Sequence, residues 1–240
     1  MANHGNGAGR AVSPEQWLSA RRALLAREKE FTRLRDQLSK ERRELPWVRV
    51  DEPYVFEGPQ GKETLAQLFG GRSQLVVYHF MFDPAWEEGC RHCSFWADHF
   101  DGMSVHLNHR DVTLIAISRA PLGKLQSFRE RMGWKFKWVS SFGNDFNRDY
   151  GVSFTPAELE SGKALYNFAR TDPGAPEREG LSVFFRDGSG AVFHTYSCYA
   201  RGIDMVNGTY QVLDLVPKGR DEDALESPQD WVRHHDRYGS

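Results

Sequence analysis

Trp17, Leu24, Phe31, Leu38 and Leu45 recur at every seventh position, with Leu34 beside them, while Arg, Lys and Glu fill the other faces. No glycine or proline interrupts residues 15–45. This spacing predicts a long helix over 13–46 with one apolar stripe that needs a partner surface. Ser13 is the expected N-cap, Pro14 suits the first helical position, and Gln16 completes a capping box. Pro46 stops the pattern. The surface expected to cover the stripe is the protein's own domain or a second copy, which makes a homo-oligomer through this helix one expectation.

The period then changes. Residues 47–56 alternate as a strand does, through Val48, Val50 and Val55. Gly58-Pro59-Gln60-Gly61 reads as a turn, and 64–69 as a short helix stopped by Gly70-Gly71. Two continuous apolar runs follow, Leu75-Val76-Val77-Tyr78-His79-Phe80 and Val112-Thr113-Leu114-Ile115-Ala116-Ile117-Ser118. Both read as buried strands, with helices over about 93–108 and 122–132 and a third strand near 138–141. Strand, helix, strand at this spacing predicts a parallel pair with a right-handed crossover. Residues 181–185 and 191–197, joined by Arg186-Asp187-Gly188-Ser189-Gly190, predict a hairpin.

A parallel βαβ half followed by an antiparallel hairpin is a thioredoxin-like layout. The predicted fold is therefore α/β, three layers around a mixed central sheet, preceded by the long helix. The expected organisation is a disordered tail at 1–12, the amphipathic helix at 13–46, and a thioredoxin-like domain at 47–217 with an insertion near 157–180. A charged C-terminal extension at 218–240 is expected to dock through Trp231 and Tyr238.

The chemistry sits between the two apolar runs. In Gly89-Cys90-Arg91-His92-Cys93 two of the chain's three cysteines stand three apart, where a strand hands over to a helix. A helix start offers unpaired N–H groups and the positive end of its dipole, and both favour the thiolate, the reactive form of cysteine. Arg91 and His92 add positive charge. Cys90 is thus the expected nucleophile and Cys93 the resolving thiol of a thiol–disulfide oxidoreductase acting on protein or small-molecule disulfides. Two other readings stand beside it. Tyr78-His79-Phe80-Met81-Phe82-Asp83-Pro84 leading to Gly89-Cys90 resembles the approach to a peroxiredoxin site, with Arg119 as a cation for the thiolate. Glu88, however, stands where threonine would orient a peroxide, and Pro84 is one residue too close. The other reading is a non-catalytic binding or scaffold module, in which both cysteines are small buried hydrophobes.

Other groups narrow the picture. A structural zinc site wants four ligands, commonly in paired clusters. Here one CxxC has no second pair, and Cys198, His79, His92, His99 and His194 join it only if the fold brings them together, so no metal is expected. Haem attachment needs a histidine where Ser94 stands. Phosphate loops, serine elbows and paired carboxylate motifs are missing, so no nucleotide cofactor is expected. Cys198 reads as a strand residue, His79 as a hydrogen-bonded core histidine, and His234-His235 as solvent-facing. Phe82, Trp86, Trp96, Trp134 and Trp138 are either a groove near Cys90 or core, and core is the more ordinary role.

Across 240 residues, 40% hydrophobic with seven Trp and sixteen Phe, there is material for a substantial core. The net charge of −2 leaves no electrostatic footprint for nucleic acid or an anionic membrane. No stretch approaches the roughly 18 apolar residues of a membrane span. Residues 1–13 lack the apolar core of a signal peptide. With few cysteines and no such signal, a reducing cytoplasm is the expected location.

Several segments resemble one bacterial family: Leu45-Pro46-Trp47-Val48-Arg49-Val50, Tyr78-His79-Phe80-Met81-Phe82, Trp86-Glu87-Glu88-Gly89-Cys90, Ser118-Arg119-Ala120-Pro121, Trp138-Val139-Ser140-Ser141-Phe142-Gly143 and Lys218-Gly219-Arg220-Asp221-Glu222. It is the family called domain of unknown function 899, described as thioredoxin-like, and the similarity runs over about 13–238. The resemblance implies a thioredoxin-like fold and assigns no activity. Two features depart from working thioredoxins. The residues before Leu181 are Arg178-Glu179-Gly180, where those proteins place a cis-proline, and Ser94 follows Cys93 in place of Lys or Arg.

Overall fold

An apolar run buried on both faces is stable only between covering layers, so the segments around Leu75 and Ile115 favour a parallel pair flanked by helices. The computed structural model describes residues 9–239. Most of the segment expected as a tail lies outside the described residues. The chain divides into two compact units, one running through Pro46 and including Tyr210–Asp221, the other formed by Trp47–Thr209 and the segment from Glu222 onward.

The first unit is dominated by α1 (Pro14–Arg43). Ser13 Oγ accepts the Gln16 N–H at 3.3 Å and Gln16 Oε1 accepts the Ser13 N–H at 3.1 Å, closing the capping box. Lys40, Arg42 and Arg43 occupy the last turn, where cations meet the negative end of the dipole. The helix buries none of its residues; Trp17 is 59% and Phe31 65% exposed. In the Tyr210–Asp221 segment, Arg220 stacks 3.8 Å over the Tyr210 ring and pairs with Asp214 at 2.8 Å.

The second unit contains, in order, β1 (Val48–Arg49), β2 (Val55–Gly58), β3 (Gly61–Thr64), α2 (Leu65–Leu68), β4 (Gln74–His79), α3 (Arg91–Ala97), α4 (Phe100–Asn108), β5 (Val112–Ser118), α5 (Leu122–Arg131) and β6 (Lys137–Ser140). Then follow α6 (Phe146–Asp149), α7 (Pro156–Ser161), β7 (Ala164–Tyr166), β8 (Ala169–Thr171), β9 (Gly180–Arg186), β10 (Val192–Tyr199) and a 3₁₀ segment, Ala200–Val206. The main sheet runs β1-β10-β9-β4-β5-β6-β2-β3. Strands β4, β5 and β6 are mutually parallel; β9 lies antiparallel to β4, and β10 antiparallel to β9. A parallel βαβ pair extended by an antiparallel hairpin in the order β10-β9-β4-β5 is the thioredoxin-like arrangement.

Alternation along the strands sorts the core into two layers. On one face Leu75, Val77, Ile115, Ile117 and Val139 pack with Phe56, Leu68, Phe69, Phe146 and Phe184. On the other, Phe80 lies 4.5 Å from Trp138 between ring centroids, within reach of Phe128 and Trp134, and Tyr78 meets Phe100.

Two elements differ from their expected form. Residues 47–56 form two strands at distant places in the sheet: β1 on one edge against β10, and β2 against β6, one strand in from the other edge. Pro53 lacks the N–H that a continuous strand would need. Six strand spacings of about 4.8 Å separate β1 from β2 in a flat sheet, roughly 29 Å, whereas the six steps from Arg49 to Val55 extend about 20 Å. The sheet must therefore be strongly twisted and curled. The helix expected over 93–108 is broken into α3 and α4 at Asp98, whose carboxylate accepts the Trp134 Nε1–H at 2.8 Å and pairs with His235 at 2.6 Å.

Candidate active site

Strand β4 ends at His79, and the loop after it doubles back before α3 begins. The Cys90 N–H donates to the Met81 carbonyl at 3.1 Å, closing that loop. Cys90 is the N-cap of α3, and its Sγ accepts the Cys93 N–H at 3.5 Å. The Cys90 carbonyl takes both the Ser94 N–H and its hydroxyl at 3.0 Å. Cys93 is buried one turn on, its Sγ accepting the Met81 N–H at 3.4 Å, while Cys90 is half-buried.

The two sulfurs are held in opposite states. Cys90 lies well below the ordinary thiol range, first because the Cys93 thiol donates to it and further because of His92. Burial pushes Cys93 well above that range, and the charge on Cys90 adds to the shift. The arrangement therefore favours one thiolate, on the outer sulfur, with the inner sulfur protonated and aimed at it.

A cavity of about 370 Å³ adjoins Cys93. Tyr78, Met81, His92 and Trp96 form its inner wall; Arg178, Glu179, Arg201 and Asp204 bring charge; Ser227, Pro228 and Gln229 close its rim. Of the five aromatic residues weighed as a groove, Trp96 lines this cavity, with Nε1–H on the Ile203 carbonyl at 3.0 Å. Phe82, Trp134 and Trp138 belong to the buried aromatic layer. Trp86 is half-buried, its carbonyl accepting from Lys124 Nζ at 2.8 Å.

The segment from Glu222 onward straps the loop that carries the dithiol. His234, expected to face solvent, is only 4% exposed, and its Nε2 bonds the Gly89 carbonyl at 2.9 Å. Arg237 and Arg131 both reach Glu88 at 2.8 Å, Arg91 pairs with Asp230 at 3.7 Å, and Trp231 meets the Phe95 ring at 5.4 Å. Tyr238, expected as an anchor, is half exposed, and its hydroxyl accepts the Arg233 N–H at 3.1 Å. Because Glu88 is committed to two arginines, it does not stand free to orient a peroxide.

The remaining candidates occupy other environments. Arg119 pairs with Glu177 at 3.0 Å, so its charge has a carboxylate partner in place of a thiolate. Glu177 is 1% exposed and also accepts from Ser153 at 2.8 Å; burial pushes it up to about 7 against those bonds. Sequence reading missed this group, since an isolated glutamate in a charged loop carries no signal. His79 is buried, its Nε2 2.8 Å from Ser182 Oγ, and the chain of hydroxyls continues through Ser197 to His194. Burial lowers His79 to about 3, which keeps it neutral. Cys198 is buried on β10 opposite Leu181. Among the described residues no three His, Cys, Asp or Glu side chains gather as a metal ion would need. No described helix is long and apolar enough to cross a membrane.

A model of the family described as "Bacterial protein of unknown function (DUF899)" matches residues 7–238. No curated protein matches the sequence. Among solved structures, the peroxidoxin BcpB of Mycobacterium tuberculosis superposes with a TM-score of 0.43 at 15% identity, over 70% of this chain and 97% of that one. A cysteine-to-serine mutant of peroxiredoxin Q from Xanthomonas campestris gives 0.44 at 13% identity, over 70% and 98%. A secreted M. tuberculosis disulfide oxidoreductase homologous to E. coli DsbE gives 0.37 at 18% identity, over 66% and 96%.

Proposed function

The chain belongs to the DUF899 family, and we propose from its geometry that it is a thiol–disulfide oxidoreductase using Cys90 as nucleophile and Cys93 as resolving thiol. The observation that carries this reading is the asymmetry of the pair: a lowered outer thiol accepting a hydrogen bond from a raised, buried inner one. The Cys90 thiolate attacks one sulfur of a disulfide, that S–S bond breaks, and the departing thiolate takes a proton from solvent. The resulting mixed disulfide is attacked by Cys93 after it gives up its proton; the second substrate sulfur leaves as a thiol. Two electrons pass from the dithiol to the substrate, and Cys90 and Cys93 end as a disulfide. A dithiol reductant restores the starting state. A dithiol kept for chemistry suits the cytoplasm, where thiols stay reduced.

The test is turnover of a model disulfide with a thiol donor in excess. Cys90→Ser is expected to lose at least 100-fold, while Cys93→Ser is expected to trap the mixed disulfide. Iodoacetamide should alkylate Cys90 at pH values where an ordinary thiol is protonated and unreactive. Turnover that survives Cys90→Ser would sink this mechanism, and peroxide consumption that persists in Cys93→Ser would favour a peroxidase.

A further inference from the structure

The cavity beside Cys93 carries more charge than disulfide exchange requires. Arg178 is half-buried, and its Nε is buried without a hydrogen-bond partner among the described residues. Its guanidinium carbon sits 5.8 Å over the Tyr166 ring, a contact that leaves the N–H donors free for an oxygen ligand. Leaving such a donor buried and unmatched is costly unless something accepts from it. The next residue, Glu179, lines the same cavity with a carboxylate that accepts from Tyr166 at 3.3 Å. Arg201 and Asp204, 3.3 Å apart, repeat that pairing of signs on the facing segment. Between them Tyr78, Trp96 and Ile203 offer apolar wall.

We propose that this cavity binds a small zwitterionic disulfide of the amino-acid or short-peptide class, its carboxylate on Arg178 and its ammonium group on Glu179. The proposal rests on the dithiol reading above. A volume of about 370 Å³ holds one half of such a molecule, within the range of small-ligand sites. Ser227, Pro228 and Gln229 add polar and apolar lining from the C-terminal segment. Cys93 shares this lining with Arg178 and Glu179, so a ligand held on those two groups lies beside the inner sulfur of the dithiol. The exchange then follows the steps given above: one substrate S–S bond is broken, one Cys90–Cys93 bond is formed, and two small thiols are released.

Two measurements test it. In the first, the reduced protein is oxidised in single turnovers by glutathione disulfide and by bis(2-hydroxyethyl) disulfide, which carries no charge. Glutathione disulfide is expected to react at least tenfold faster. In Arg178→Ala that preference should fall about tenfold, the loss of one charge-assisted hydrogen bond, and Arg178→Lys should restore part of it. In the second, S-methylglutathione, which cannot exchange, is titrated into wild-type protein and both variants by calorimetry. Binding weakened about tenfold in Arg178→Ala supports the site whatever the cysteines do. If the uncharged disulfide oxidises the protein equally well and S-methylglutathione does not bind, the substrate class is wrong and the dithiol reading stands. If neither disulfide oxidises the protein while S-methylglutathione binds through Arg178, the site stands and the dithiol reading fails. No binding, or binding indifferent to Arg178, overturns the proposal.

Discussion

Strands β4 and β5 lie side by side and end next to one another, β4 leading to the dithiol and β5 to a buried ion pair, and the two ends treat charge in opposite ways. Beyond β5, Arg119 and Ser153 hold the carboxylate of Glu177 from both sides. Beyond β4, the charge on Cys90 is supported first by the Cys93 thiol and N–H and then by His92, with no buried salt-bridge partner of its own among the described residues, and a cavity opens beside its partner sulfur. Both ends hold a group whose proton affinity is far from ordinary. Such shifts are a recognised mark of functional sites, yet they mark structural networks as well. What separates them here is whether partners remain to be made. Glu177 has its oxygens occupied from within the fold, whereas a cavity adjoins Cys93.

The largest effect expected from breaking this comparison lies at the carboxylate. Glu177 is pushed up to about 7 in the fold from an ordinary value of 4.5. The folded state then holds the proton more tightly, so the stability it lends is fully present below about pH 4.5 and is lost as pH rises towards 7. That difference corresponds to about 3 kcal/mol. Urea denaturation at pH 5 and pH 8 is expected to show wild type losing stability relative to Glu177→Gln by that order. Equal pH profiles would mean that the carboxylate is ionised in the fold at both values. At the dithiol end, Gly89→Ala would set a methyl 2.8 Å from the Phe80 ring and 3.0 Å from Phe128. Those rings belong to a filled layer, so a loss of about 1–3 kcal/mol is expected in the same denaturation assay. The smallest effect is expected for Arg237→Ala. Its bond to Glu88 is half exposed and shared with Arg131, so less than about 1 kcal/mol should go, and added salt should erase the difference.

The same contrast explains how much was legible in the sequence. The apolar runs at 75–80 and 112–118 are unbroken, and their spacing with the hairpin at 181–197 led to the parallel pair, the antiparallel hairpin and the thioredoxin-like fold class that the structure shows. Cys90 and Cys93 were legible as a candidate pair because a CxxC after an apolar run sets two sulfurs at the start of a helix, which is where the structure has them. The split of 47–56 between two distant strands was hidden, since alternation says which residues face inward but not which neighbour a strand pairs with. Glu177 and Arg178 were hidden too: one charge among several in a loop looks solvated until the fold buries it. His234 misled for a related reason, as two adjacent histidines in a charged tail read as exposed, and only the Gly89 carbonyl gave one of them an inside.

That last contact joins residues 145 positions apart. A polypeptide is made from its N-terminal end, and domains settle as their parts emerge. The loop carrying the thiols can therefore take this brace only after His234, 145 residues further on, has been synthesised. During that interval the sulfurs sit in an unfinished setting, and the surroundings described for Cys90 and Cys93 are completed only when the strap arrives.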